Sequence, residues 1–350
     1  MAGRERLERH RAVAARLARL DDRRLAALLD TATPAGVGIG GTTASLEVDG
    51  VRVFVKKVPL TDLERRPQHV RSTANLFGLP TFYQYGVGSA GFGAWRELAA
   101  HLMTTGWVQA GGCAAFPLLH HWRVLPRPPV PVDLAELERT VAYWEGSAAV
   151  RARLAALARS TASVVLFLEH VPHTVRAWLG AAAGGAGAAA AYSFVERELR
   201  AGVAAMGARG LLHLDAHLDN LLTDGHRLYF ADLGLAMSAR FHLSPAEAAF
   251  FQRHRSYDRC YTATHLARSL VSTLCGTTPA QCDEVLRDCA ATGRPPGGLP
   301  EPAAAIVARH APVAVVMTRF IRQLQTVSKE TPYPVEEVLR AAGGVDVSAT

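Results

Sequence analysis

Asp215, Asn220 and Asp232 are the residues whose types and spacing carry the most chemistry in this chain. They stand in His213-Leu-Asp215-Ala-His217-Leu-Asp-Asn220 and in Tyr229-Phe-Ala-Asp232-Leu-Gly234. Asn220 follows Asp215 by five residues, and Asp232 follows Asn220 by twelve. Between them, Leu221–Tyr229 reads as a hairpin with Asp224-Gly225 at its tip. Such a spacing can place one base and two metal ligands around a single phosphoryl group. Asp215 would accept the proton of an attacking hydroxyl, and Asn220 and Asp232 would hold magnesium on nucleotide phosphates. A lone Asp before Leu-Gly is usually a turn, so the functional reading rests on the joint occurrence.

A second group lies upstream. Gly36-Val-Gly38-Ile-Gly40-Gly41 contains a G-x-G-x-x-G through Gly36, Gly38 and Gly41. Ser45–Val48 and Val51–Val55 flank Asp49-Gly50, which favours a type I′ hairpin, and the second strand runs into Lys56-Lys57. Strand side chains alternate, so only one of these lysines enters a shared cleft. Lys56 shares a face with Phe54, which would pack on a base. Lys57 would project with Val53 and Val55 onto the helix side. Lysine is otherwise almost absent, the third being Lys329. A carboxylate must orient the lysine: Glu97, on a helix from Ala94, is the first choice, and Glu64, otherwise a surface partner of Arg65 or Arg66, is the rival.

Together these segments resemble the glycine-rich loop, strand lysine, catalytic loop and D-F-G segment of the protein-kinase-like superfamily, over roughly residues 31–260. The resemblance implies an α+β, bilobal fold with a small antiparallel-sheet N-lobe and a mainly helical C-lobe. It implies ATP and Mg2+ as cofactors. Gly36, Gly38 and Gly41 would cover the phosphates, Lys56 would bind them, and Glu169 to Val171 would be the hinge whose backbone reads adenine. Asp258 resembles the aspartate that braces the catalytic loop, and His213 is expected to support that loop. The aromatic-x-Lys order at Phe54 and the D-x-H at His217 look more like aminoglycoside and choline kinases than protein kinases. There is no arginine before Asp215 to read a phosphorylated activation loop, and Ser244-Pro-Ala-Glu247 lies too close to Asp232 for an A-P-E segment.

These details favour a small-molecule hydroxyl acceptor. A polycationic aminoglycoside fits less well, since twelve Lys and Arg face ten Asp and Glu from Arg240 onward. Asp232-Leu-Gly-Leu-Ala keeps a peptide or protein acceptor open as the alternative, and a pseudokinase is the third reading. Arg319, Arg322 and Lys329 are candidates to hold an anionic acceptor, with a solvated face as their plainer role.

The elements that must position these groups follow from periodicity. Residues 1–30 read as amphipathic helix, residues 31–171 as the sheet lobe, and residues 172–350 as the helical lobe. Ala94 to Ala110 reads as helix and Phe116 to Leu125 as strand. An added helical block lies near 133–160, opened by the capping box Asp133-x-x-Glu136. Ser163 to Glu169 reads as a buried strand. Gly180 to Ala191 is alanine/glycine-rich and reads as a flexible surface insertion.

Composition sets the class. In 350 residues, 49% apolar and 20% charged, there is room for a large core. The net charge of +7 comes from scattered arginines without interleaved aromatics, which argues against nucleic acid. No uninterrupted apolar run reaches membrane-helix length, and the N-terminus lacks an apolar signal segment, so no membrane association and a cytoplasmic address are expected. Five cysteines without a C-x-x-C suggest reduced thiols. Oligomeric state is not legible.

Overall fold

A computed structural model describes residues 2–38, 41–131 and 133–343. The chain is mixed α and β and divides into two compact units, Met1–Val171 with Leu233–Ala246, and Pro172–Asp232 with Glu247–Thr350.

The first unit opens with α1 (Ala2–Ala18) and α2 (Asp22–Asp30). The meander β1 (Thr33–Gly38), β2 (Gly41–Val48) and β3 (Val51–Leu60) follows. After α3 (Asp62–Arg65) and α4 (Ala94–Gln109) come β4 (Leu119–Pro126), α5 (Leu134–Tyr143), α6 (Ala148–Arg159) and β5 (Ala162–Glu169). The strands form one antiparallel sheet in the order β1-β2-β3-β5-β4. Its tightest turn has Asp49 at φ 48 and Gly50 at φ 80, the two left-handed residues that a type I′ hairpin requires.

Strand alternation gives the sheet two different faces. Val53, Val55, Val165 and Phe167 pack with Val13, Leu17, Leu25 and Leu29 of α1 and α2. Val58, Leu60, Val164 and Leu166 pack with Ala94, Trp95 and Leu98 of α4, and partly buried Phe54 joins them. Helices therefore cover both faces, and α4 lies on the Lys56 side. The helices on the Val53 and Val55 face are α1 and α2. A third core joins the two long connections of this unit: Leu79, Tyr83 and Phe92 pack with Trp144 and Val150. The Tyr83 and Trp144 rings meet edge-on, 4.6 Å between centroids.

Residues 233–246 belong to the first unit and are tied to the same long connection. Gln84 Nε2 donates to the Leu235 carbonyl, and His242 N donates to Thr73 Oγ1 at 2.9 Å. The Arg96 guanidinium lies 5.8 Å from the Phe241 ring centroid. Strand β4 begins at Leu119 rather than at Phe116, and of the carbonyls just before it one turns to α1 while another still meets β5. The Phe116 carbonyl accepts from Arg6 Nη2 at 2.5 Å, and the Leu118 carbonyl accepts from Glu169 N at 2.8 Å.

The second unit starts with β6 (His173–Thr174), α7 (Val175–Ala182) and α8 (Ala188–Gly207). The Gly180–Ala191 stretch is thus mostly helical, not a flexible insertion. Alanine is the best helix former, and the glycines gather in the turn, where Gly184 takes φ +78. Ala188 and Ala191 are buried. Next come β7 (Leu211–Leu212), β8 (Leu221–Thr223) and β9 (Leu228–Phe230), with β6-β8-β9 forming a small antiparallel sheet. Beyond β10 (Met237–Ser238) the chain is helical: α9 (Pro245–Arg253), α10 (Tyr257–Cys275), α11 (Pro279–Thr292), α12 (Ala303–Thr326) and α13 (Val335–Ala341).

Among the described residues, α12 alone is long and apolar enough to cross a membrane, by length and composition. A search for uninterrupted apolar runs misses it because Arg309, His310 and Arg319 punctuate its alanines and valines. It packs on α10 and α11 and buries Val307, Val313, Met317 and Phe320, as a core helix does.

Gly202 on α8 shows how closely this unit packs. A Cβ there would lie 2.2 Å from the Phe230 ring of β9, and Phe230 is fully buried. Gly202→Ala is expected to destabilise the protein by about 1–3 kcal/mol through overpacking, despite the better helix propensity of alanine. The check is the urea midpoint, and a variant as stable as the parent would show that β9 yields freely.

Candidate active site

The loop after β7 takes its shape from α10. Asp258 is buried and accepts two backbone N–H bonds, from His213 at 2.6 Å to Oδ2 and from Leu214 at 2.8 Å to Oδ1. These contacts hold Leu214 in the left-handed region at φ 64. Burial pushes the Asp258 carboxyl up, while His213 and the two N–H donors work against that shift. His213 Nδ1 accepts from Asp215 N at 3.3 Å, so its Nε2 carries the proton donated to the Ala231 carbonyl, 2.8 Å away. The ring thus fastens the loop to the exit of β9.

Asn220 fastens the loop from its other end. Its Nδ2 donates to both the carbonyl and Oδ2 of Asp215, each at 3.0 Å. Asn220 N donates to the His217 carbonyl at 2.9 Å, and the Asn220 carbonyl accepts from Ala231 N at 3.0 Å. The β8–β9 register pairs Leu221 with Phe230, so Asn220 and Asp232 leave the same open end of this hairpin. Asp232 is exposed and left-handed, at φ 56. Asn220 spends its amide donor on Asp215, and its Oδ1 is the group left to act as a ligand.

That donor set suits magnesium. Among the described residues, no three His, Cys, Asp or Glu side chains form a metal-binding group. A cation held by the side-chain oxygens of Asn220 and Asp232 would complete its shell with phosphate and water, as magnesium commonly does.

Three further residues beside this loop were not foreseen from sequence. Buried Tyr261 hydrogen-bonds Asp215, and its hydroxyl is pushed up by burial and then by the charges of Asp215 and Asp258. His265 follows on α10; burial first, then His217, Arg176 and Arg268, lower it to about 3, so it is neutral. Arg176 holds Asp219 through its Nε at 2.8 and 2.9 Å. A signal for the first two was present: Asp258, Tyr261 and His265 recur at three- and four-residue steps along one helix face. His217 has Nε2 3.9 Å from Asp215 Oδ2 and Nδ1 3.7 Å from Asp219 Oδ2. Burial lowers its pKa against the pull of Asp219.

In the first unit, Lys56 Nζ lies 2.7 Å from Glu97 Oε1, with the two side chains 7% and 3% exposed. His101 Nε2 is 3.9 Å from the same oxygen. Glu64, the rival partner, is neither beside Lys56 nor a surface residue: it is buried and paired with Arg153 at 2.8 Å. Arg65 pairs instead with Asp62.

The glycines lie at the β1–β2 connection before the hairpin, as expected, but Gly36 and Gly38 are within strand β1 and Gly41 opens β2. Ile39 and Gly40 lie outside the described residues. Gly41, at φ +142, passes so close to the Lys57 carbonyl that a Cβ would sit 2.2 Å from it. Gly36 and Gly38 meet no such obstacle.

Glu169 has a structural task besides the hinge role expected of its backbone. Its N–H is committed to the Leu118 carbonyl, and its carboxylate holds Arg6 of α1 at 2.6 Å and Leu118 N at 3.1 Å. Its side chain serves as the anchor of α1. Val171 is half-buried at the edge of the unit. Arg319 and Arg322 are also committed, to Glu337 and Asp283, and Lys329 is buried, so this trio is not an open anion site.

Two groups emerge: Lys56 with Glu97, and Asp215 with Asn220 and Asp232 on one braced loop and hairpin. No family model matches the chain, and no curated protein matches it.

Proposed function

We propose that this protein is an ATP- and magnesium-dependent phosphotransferase that moves the γ-phosphoryl group to a hydroxyl of a small molecule, in a bilobal, protein-kinase-like arrangement. The observation that carries the reading is the double hydrogen bond from Asn220 to Asp215. It orients one carboxylate as a base, from a residue whose neighbour across the open end of the β8–β9 hairpin leads into Asp232. A structural loop would have no need to pair an oriented, partly accessible carboxylate with two further oxygen ligands.

Each residue then has a task. Asp215 accepts the hydroxyl proton, and Tyr261 and Asn220 fix its rotamer. Asn220 and Asp232 would hold magnesium, which neutralises phosphate charge when bound. Lys56, held by Glu97, would bind the nucleotide phosphates. The family pattern makes Phe54 the side chain that meets adenine. Catalysis in such a site comes from positioning and electrostatics rather than from a covalent intermediate.

The acceptor preference for a small molecule is supported by the segment after Asp232. It is short and already held by Gln84 and Thr73, with no phosphate-reading arginine before Asp215. The test is transfer of label from γ-labelled ATP in a cell extract, with low-mass and protein fractions separated. Label in the low-mass fraction is expected. Label only on proteins would sink this preference in favour of a protein or peptide kinase, and no magnesium-dependent ATP turnover or labelling at all would sink the enzyme.

A further inference from the structure

We propose that Arg153 is a positioning residue for the Lys56–Glu97 pair, acting through Glu64 on the first turn of α4. The functional meaning rests on the reading of Lys56 as a phosphate ligand; the geometry does not.

Helix α4 lacks an N-cap side chain of its own, since Gly93 occupies that position. Glu64 supplies the cap from outside. Its Oε1 accepts from Ala94 N at 2.8 Å, and its carbonyl accepts from Trp95 Nε1 at 2.8 Å. A carboxylate at a helix N-terminus satisfies an orphan N–H and meets the positive end of the dipole. Glu97 lies in this same first turn, its N–H on the Gly93 carbonyl at 3.4 Å. Whatever sets the place of Ala94 also sets the carboxylate that meets Lys56 at 2.7 Å.

Glu64 can occupy that place only with a cation. It is 2% exposed, and its other oxygen takes Thr61 N at 3.0 Å, Thr61 Oγ1 at 2.6 Å and Arg153 Nη1 at 2.8 Å. Arg153 comes from α6, in the added block near 133–160, and is itself fully buried. Without it a charged carboxylate would remain buried and uncompensated, and would either take up a proton or move toward water. Either change weakens the bond to Ala94 N. The added block thus reaches through one ion pair to the helix that carries Glu97.

Lysine chemistry reads this directly, because the full chain holds only Lys56, Lys57 and Lys329. Acylation with a water-soluble ester, mapped by mass spectrometry with Lys57 as internal reference, follows how firmly Lys56 is held. Arg153→Met is expected to raise Lys56 acylation by about tenfold, the scale of one charge-assisted hydrogen bond lost. The double variant Arg153→Met with Glu64→Gln, which buries no net charge, is expected to return toward the parent rate. The KM for ATP should follow the same order, with the acceptor KM unmoved.

A folded Arg153→Met protein with parental Lys56 reactivity overturns the proposal. So does a double variant as reactive as the single one, since the effect would then come from packing alone. Should Arg153→Met not fold, Arg153→Gln, which keeps a donor but no charge, is read in the same way. If the parent protein binds no ATP by calorimetry, the phosphotransferase reading falls while the Lys56 comparison still stands or fails by itself.

Discussion

Asp215→Ala is expected to lower phosphoryl-transfer turnover by about 10²–10⁴-fold, the usual worth of a positioned general base. That corresponds to about 3–5 kcal/mol of barrier. ATP affinity should stay within a few-fold, for a structural reason. Asn220 Nδ2 also bonds the Asp215 backbone carbonyl, and Asp258 holds the loop through His213 N and Leu214 N. Neither contact needs the Asp215 side chain, so the loop should keep its course when the carboxylate is removed. Steady-state rates with saturating ATP, beside calorimetric ATP affinity, separate the two effects. A variant retaining a tenth of parental turnover means that Asp215 is not the base.

The same contacts show what a sequence can disclose. The Asp49-Gly50 turn is legible because few residues tolerate two left-handed positions in succession, so local chemistry alone selects the hairpin. From that turn, strand alternation places Lys56 with Phe54 and Val58. Asp258 is legible through the resemblance, and its two N–H bonds supply the physical reason for such an aspartate. Glu64 is different. Next to Arg65 and Arg66 it reads as a surface residue, but its cation is Arg153, 89 positions away.

The side-chain task of Glu169 is hidden for a related reason. A strand exit looks like a free edge until Arg6, 163 positions earlier, is folded against it. Helices α1 and α2 read correctly as amphipathic, but no local signal says that their apolar stripe will cover Val53, Val55 and Phe167. Long-range ion pairs and helix placement are therefore the portion that pattern alone does not supply. Tyr261 sits between these cases: its helical spacing from Asp258 is visible, but its contact with Asp215 depends on how the loop returns to α10.

The second large effect concerns the metal. Asp232→Ala is expected to weaken magnesium-dependent ATP binding by at least 10–100-fold, a range that the loss of supporting residues alone can reach, so ~10-fold is a lower bound for a direct ligand. The reason lies in the thinness of the protein's donor set. With Asn220 and Asp232 as the two oxygen ligands, removing the charged one leaves a neutral amide oxygen to hold a divalent cation. The hairpin itself should survive, because the Ala231–Asn220 backbone bond and the Leu221–Phe230 pairing do not involve the Asp232 side chain. Relief of the left-handed φ at 232 is not expected from alanine, which tolerates that region no better than aspartate. The variant should therefore fold with near-parental stability and fail in binding. Calorimetry with ATP in magnesium and again in EDTA is the direct check. The parent should lose most of its affinity on chelation, and the variant should show little difference between the two conditions. A parent protein that binds ATP equally well with and without the metal would remove Asp232 from any metal role. It would turn the reading toward a nucleotide-binding protein without transfer chemistry.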